Sequence, residues 1–183
     1  ANSVLEIVDR LLQRGTNRTE ADIQSDVRQF ILTAPFDLDE AQVVNLEAPV
    51  GDRRRIDIEV GSTVIEVKRN LQRRRVRDEA AAQLAGYVFA RREQTEQRYV
   101  GILTDGVEWI CYDLCQDQLQ PVTSFTLTGQ SDLDRLVVWL EGVLATTQAI
   151  RPTAQAIRER LGASSSAYKL DRATLDAIYA AHG

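Results

Sequence analysis

The chain is short of the residues that carry most nucleophilic and zinc chemistry. Its one histidine, His182, is next to last, and its two cysteines are Cys111 and Cys115. That shortage disfavours a tetrahedral zinc site, which takes cysteine and histidine ligands. It also removes most Ser-His-Asp and Cys-His arrangements. No apolar run approaches the roughly 18 residues of a membrane helix, so no membrane span is expected. The N-terminal stretch ANSVLEIVDRLLQRG carries acids and no unbroken apolar core, unlike a secretory signal. If WICYDLC is a strand, its cysteines share a face but lie too far apart for an easy disulfide. They read as small buried hydrophobes in a reducing cytoplasm, so a cytoplasmic location is expected. What remains for hydrolysis is carboxylates, lysine and a hard, oxygen-loving cation.

At 183 residues, 44% hydrophobic, the chain can bury the core of one domain. We expect that domain over residues 1–150, with a helical appendage or connector over 151–183. The net charge of -5 argues against a polycation that coats nucleic acid. Residues 51–77 nevertheless concentrate Arg53, Arg54, Arg55, Lys68, Arg69, Arg73, Arg74, Arg75 and Arg77 against four acids. A local basic zone matters more for phosphate contact than the total does. It is also what a solvated charged face looks like.

Apolar spacing predicts a helix over about 3–12 with an Asn2/Ser3 cap. A second follows from a Thr19 cap, with Asp22 reaching back, to about Leu32 before Pro35. Residues 42–48, 54–60 and 63–68 read as strands, then 77–94 as a long helix. Strands at 98–104 and 107–113 are joined by Asp105-Gly106, a strong hairpin signal. A strand near 122–128 and a helix over 131–147 complete the domain. After Pro152 come helices at about 153–161 and 171–181, separated by GASSSA. Helix-strand-strand-strand-helix-strand order implies an α/β layer structure with a mixed sheet.

Taken as a hairpin around Gly61-Ser62, Arg53–Lys68 can be given a register by counting. Val60 faces Thr63, Glu59 faces Val64, Ile58 faces Ile65, and Asp57 faces Glu66. Alternation puts Ile56, Ile58 and Val60 on one apolar face with Ile65 and Val67. Asp57, Glu66 and Lys68 share the other. Like charges directly opposite across strands are destabilising, and a divalent cation between them reverses that sign. Magnesium prefers one or two carboxylates with water and phosphate oxygens. Lys68 is one of two lysines among 22 basic residues, a compact ammonium in a chain that otherwise uses arginine. The set holds the elements for phosphodiester hydrolysis: a cation seat, and a positive group beside the nucleophile.

RRRIDIEV (53–60) and STVIEVKRN (62–70) resemble the PD-(D/E)XK nuclease superfamily, whose core is an α-β-β-β-α-β layer. More closely, residues 19–113 are similar to the N-terminal nuclease domains of type I, type ISP and IIG-like restriction enzymes. Glu20 matches that family's helix glutamate, Glu47 the acid before the Asp strand, Asp57 the Asp, and Glu66-Val67-Lys68 the Glu-x-Lys. Gln83 and Tyr87 match its Gln-x-x-x-Tyr motif, and Leu103-Thr104-Asp105-Gly106 with Trp109 its following strand-turn-strand. Two departures are Ile56, where the superfamily name has proline, and Gly86 inside the helix. The resemblance implies a restriction-endonuclease-like core in which Asp57, Glu66 and the Val67 carbonyl hold Mg²⁺, with Mn²⁺ as a substitute. Lys68 would position the attacking water, Glu20 would orient the lysine or a metal water, and Gln83 and Tyr87 would support the site.

The short tail after 150 and the ending in mid-pattern at Gly183 lead us to expect that the chain is a fragment of such a restriction-modification enzyme. It would cleave double-stranded DNA, with specificity supplied by methyltransferase, translocase or target-recognition domains. Phosphate contacts are expected from Arg53, Arg54, Arg55, Arg69, Arg73, Arg74, Arg75 and Arg77. Two other readings stay open: a non-cleaving DNA-binding module of the same fold, and a protein-interaction domain whose acidic pair is incidental.

Overall fold

The computed structural model describes residues 3–13, 17–36, 44–50, 54–146 and 166–182, with backbone alone at 44–50, 54, 146, 167–168 and 182. Hydroxyl caps set where the first two helices begin. Ser3 starts α1 (Val4–Leu12) in a reciprocal capping box with Glu6. Thr19 starts α2 (Glu20–Thr33): its Oγ1 accepts from Asp22 N at 3.2 Å, and the Asp22 carboxylate accepts from Thr19 N at 2.7 Å. The end of α2 is set by Ala34, extended because it precedes Pro35. Asp26, buried on α2, binds both Arg10 of α1 and Arg18 of the connecting segment, which ties the two helices together.

The remaining elements are β1 (Val44–Val50), β2 (Arg54–Val60), β3 (Thr63–Val67), α3 (Arg74–Thr95), β4 (Val100–Thr104), β5 (Glu108–Cys115), β6 (Gln118–Thr126), α4 (Leu133–Thr146) and α5 (Ser166–His182). The expected helix and strand order is present. Six strands form one mixed sheet in sequence order, antiparallel except for β3 and β4, which run parallel across the α3 crossover. Each edge strand carries a proline, Pro49 in β1 and Pro121 in β6, and so withholds a donor from foreign strands.

Both faces of the sheet are covered. On one, Ile65, Val67, Ile102 and Trp109 pack with Val27 and Phe30 of α2, and with α1, α4 and Leu170 of α5. On the other, Val64, Leu103 and Ile110 pack against Ala80, Leu84, Tyr87 and Val88 of α3. The helix expected over 171–181 begins at Ser166, whose hydroxyl donates to the Trp139 carbonyl at 2.7 Å. With Leu170 in the main core, this part of the expected appendage is docked on the domain. The helix expected over 153–161 lies outside the described residues. Among the described residues no helix is long and apolar enough to cross a membrane. Cys111 is buried, Cys115 half-buried, and both are free thiols.

Two turns differ from the sequence expectation. The β4–β5 connection is longer than the two residues Asp105-Gly106, because the last pair is Thr104 with Trp109. Asp105 organises the extra residues, accepting from Val107 N at 3.1 Å and Glu108 N at 2.8 Å. Strand β6 begins at Gln118, well before 122, because Gln116 and Asp117 both take positive φ (47° and 61°) and form a two-residue turn without glycine.

Gly101 of β4 allows α3 to approach the sheet. A Cβ there would lie 2.7–2.9 Å from Leu84 Cγ, Cδ1 and Cδ2. Gly101→Ala should therefore destabilise the fold by about 1–3 kcal/mol through overpacking, lowering the thermal midpoint by roughly 2–4 °C per kcal/mol. The measurement is thermal unfolding of Gly101→Ala with and without Leu84→Ala. A loss that Leu84→Ala does not partly relieve would contradict this packing.

Candidate metal centre

The site forms where one strand pairing gives out. The β2–β3 ladder runs from Val60–Thr63 beside Gly61 (φ 54°) through Glu59–Val64 to Ile58–Ile65, the register counted from sequence. Asp57 and Glu66 are not a ladder pair. At that level the Asp57 carboxylate takes the Val67 N–H through Oδ2 at 2.9 Å. The next amide, Lys68 N–H, bonds to Thr104 O at 2.9 Å on the β4 side. The strand also turns over here. Ile58 and Val60 pack on the α2 face, but Ile56 packs with Val64 and α3 on the other. The expected single apolar face thus fails at Ile56, because alternation holds only while the pairing holds.

Four predicted site residues come together around this gap. Lys68 Nζ donates to Glu66 Oε1 at 2.7 Å and lies 3.8 Å from Glu20 Oε1. Glu20 Oε2 accepts from Arg69 N at 3.2 Å, which fixes the chain just after β3. Asp57 Oδ1 accepts from Gln24 Nε2 at 2.7 Å, and the Asp57 carbonyl accepts from Arg28 at 3.4 Å. Glu66 is buried, Asp57 and Lys68 are half-buried, and Glu20 opens to solvent.

Burial is the largest influence on both central carboxylates. It pushes Glu66 up to about 7, helped by the Asp57 charge and opposed by Lys68. Burial raises Asp57 too, against the Val67 N–H and the Lys68 charge. For Lys68, burial works against the ammonium, but its bond to Glu66 and the surrounding acids outweigh that and raise it. The ammonium form of Lys68 is therefore favoured by its surroundings.

Glu66 Oε2 is buried with no hydrogen-bond partner among the described residues. A buried carboxylate oxygen without a donor is costly, and a hard cation would satisfy it. The residues fit Mg²⁺: Asp57 and Glu66 would supply carboxylate oxygens and Val67 a backbone one, leaving positions for water and phosphate. No cluster of three or more carboxylate, imidazole or thiol ligands exists among the described residues.

The other predicted residues are placed less centrally. The pairs Leu46–Ile58 and Ala48–Ile56 put the Glu47 backbone level with Asp57 on the far side of β2. Gln83 donates to Tyr87 Oη at 2.8 Å, with Tyr87 buried in the α3 core, so the two are joined to each other. Arg53 lies outside the described residues. Arg55, Arg69, Arg73, Arg74 and Arg75 are exposed. Arg77 is held by Glu108 at 2.8 Å and by the Leu71 carbonyl. A cleft of about 700 Å³ beside Glu20 is lined by Asn17, Arg18, Arg69, Asn70 and Arg73.

Sequence reasoning missed Gln24 and Arg28. The available signal was their spacing, since Glu20, Gln24 and Arg28 recur every four residues on one face of α2. No protein-family model, curated protein or solved structure matches this chain.

The raised Glu66 carboxyl sets a pH test. Its folded state binds the proton more tightly than the unfolded chain, from 4.5 up to about 7. The associated stability is present below about 4.5 and lost as pH rises through about 7. Without divalent ions, Glu66→Gln should be more stable than wild type at pH 8 by up to roughly 3 kcal/mol, and nearly equal at pH 4. Urea unfolding in chelator at both pH values measures this, and a gap independent of pH would refute it.

Proposed function

We propose that this chain is a Mg²⁺-dependent endonuclease domain of the PD-(D/E)XK kind, hydrolysing phosphodiester bonds of double-stranded DNA. The observation that carries the reading is the buried, unpartnered Glu66 Oε2 beside Asp57, with the Lys68 amine bonded to the other Glu66 oxygen. Two carboxylates brought together at that cost have a use if a cation joins them.

A bound divalent ion would polarise the phosphate and lower the pKa of a water molecule. The chain's own groups do the rest. Asp57 and Glu66 hold their positions through Val67 N–H, Gln24 and Lys68. The Lys68 ammonium stands where a negatively charged nucleophile or phosphate oxygen is stabilised. Glu20 holds Lys68 and the Arg69 amide from the solvent side. Exposed Arg69 and Arg73 on the adjacent cleft offer phosphate contacts. In this reading sequence specificity comes from methyltransferase, translocase or target-recognition domains of a cytoplasmic restriction-modification enzyme, as the resemblance implies.

The test is cleavage of supercoiled plasmid with Mg²⁺ or Mn²⁺. Asp57→Ala and Lys68→Ala should each lose at least about 100-fold in rate while retaining DNA binding in a mobility-shift assay. Binding without cleavage in the wild type would favour the non-cleaving module. Neither binding nor cleavage would favour a protein-interaction domain.

A further inference from the structure

The α2 face bearing Glu20, Gln24 and Arg28 spans the gap left by the strands. Once the ladder stops at Ile58–Ile65, backbone pairing no longer fixes Asp57 relative to Glu66. Glu20 grips the β3 side through the Arg69 amide, and Gln24 and Arg28 grip the β2 side through Asp57. Four-residue spacing on a helix of fourteen residues makes these three grips parts of one rigid body.

We propose that Gln24 is the positioning residue of the cation seat, setting the orientation of the Asp57 carboxylate; this rests on the reading of Asp57 and Glu66 as that seat. Gln24 holds Oδ1 at 2.7 Å while Val67 N–H holds Oδ2 at 2.9 Å, so one donor sits on each oxygen. Each oxygen keeps a lone pair for a cation. The chemistry favours an amide. An arginine or lysine would cancel the charge that attracts the ion, and an acid would add another like charge beside the two carboxylates. A neutral donor fixes the carboxylate and leaves the site's charge unchanged. Arg28 reaches the Asp57 carbonyl and so positions the backbone, and Gln24 positions the carboxylate.

The test uses Mn²⁺ alone, its affinity read by calorimetry at pH 8 and its bound fraction by electron paramagnetic resonance. Gln24→Met keeps length and helix propensity and removes the donor; Gln24→Ala is the second variant should the first fold poorly. Loss of an outer hydrogen bond on a ligand should weaken Mn²⁺ binding roughly 10- to 100-fold, with the metal-free thermal midpoint little changed. The same substitution in an Asp57→Asn background should add less than about two-fold, since the effect passes through Asp57. Wild-type-like affinity in Gln24→Met, with binding abolished in Asp57→Ala, would overturn the positioning role and leave the cation seat standing. Equal losses in both backgrounds would overturn it as well. A wild type that binds no Mn²⁺ would remove both proposals.

Discussion

Two carboxylates held within each other's field, one buried and one half-buried, are what this end of the sheet is arranged around. Each alone would be pushed toward its neutral form by loss of water, and together each makes the other's charge harder to keep. The structure answers with donors. Val67 N–H and Gln24 bond to Asp57, and Lys68 bonds to one oxygen of Glu66. Those bonds require that β2 release β3 at this level, because a continued ladder would commit the Val67 amide to a strand carbonyl. The broken pairing is thus a condition of the site, and it is tolerable because both faces around it are packed. Ile58, Ile65 and Val67 lie against α2, while Ile56 and Val64 lie against α3.

A second anchor sits one turn further along the chain. Asp105, buried after β4, accepts the Leu71 N–H at 3.0 Å as well as the two amides of its own turn. Leu71 is buried in the α3 core, so the segment leaving Lys68 is fixed from both sides of the sheet. Gly106 at φ 86° lets this turn pass close to Leu11, where a Cβ would lie 2.8 Å from Leu11 Cδ2. Trp109 closes the turn by donating to the Gly106 carbonyl at 3.2 Å while its ring packs near Phe30. The Leu-Thr-Asp-Gly stretch and Trp109, picked out by resemblance, have this physical role: they hold the loop that follows Lys68.

Local signals in the sequence were enough for most of the frame. The Thr19 and Ser3 caps, the Gly61 turn and the first three hairpin pairs follow from hydroxyl chemistry, a positive φ and counting. The gathering of Asp57, Glu66 and Lys68 was legible because turn and spacing bring them to one level. What escaped was set by contacts distant in sequence. Gln24 is 33 residues from Asp57, and only the docking of α2 on the sheet joins them. The reversal at Ile56 depends on where the ladder ends, which alternation cannot reveal. The arginine zone was visible as composition, but it did not show that Arg77 is tied to Glu108, 31 residues away.

The start of α3 bears on what this surface meets. Arg73 at the N-cap makes no side-chain cap bond, and the first turn has no acid but carries Arg74, Arg75 and then Arg77. Cations at the positive end of a helix are unfavourable at low salt. Asp78 and Glu79 pair with Arg74 and Arg75 at 3.8 and 2.8 Å, but these pairs are exposed and return little. The helix is held instead by its apolar face and by the Asp105–Leu71 anchor, so it can carry an unfavourable terminus. A polyanion would reverse the sign of that cost by meeting the arginines at the positive end of the helix. The same cleft borders Glu20, the solvent-side wall of the carboxylate pair. A phosphate backbone is one polyanion that such a positive helix start would suit.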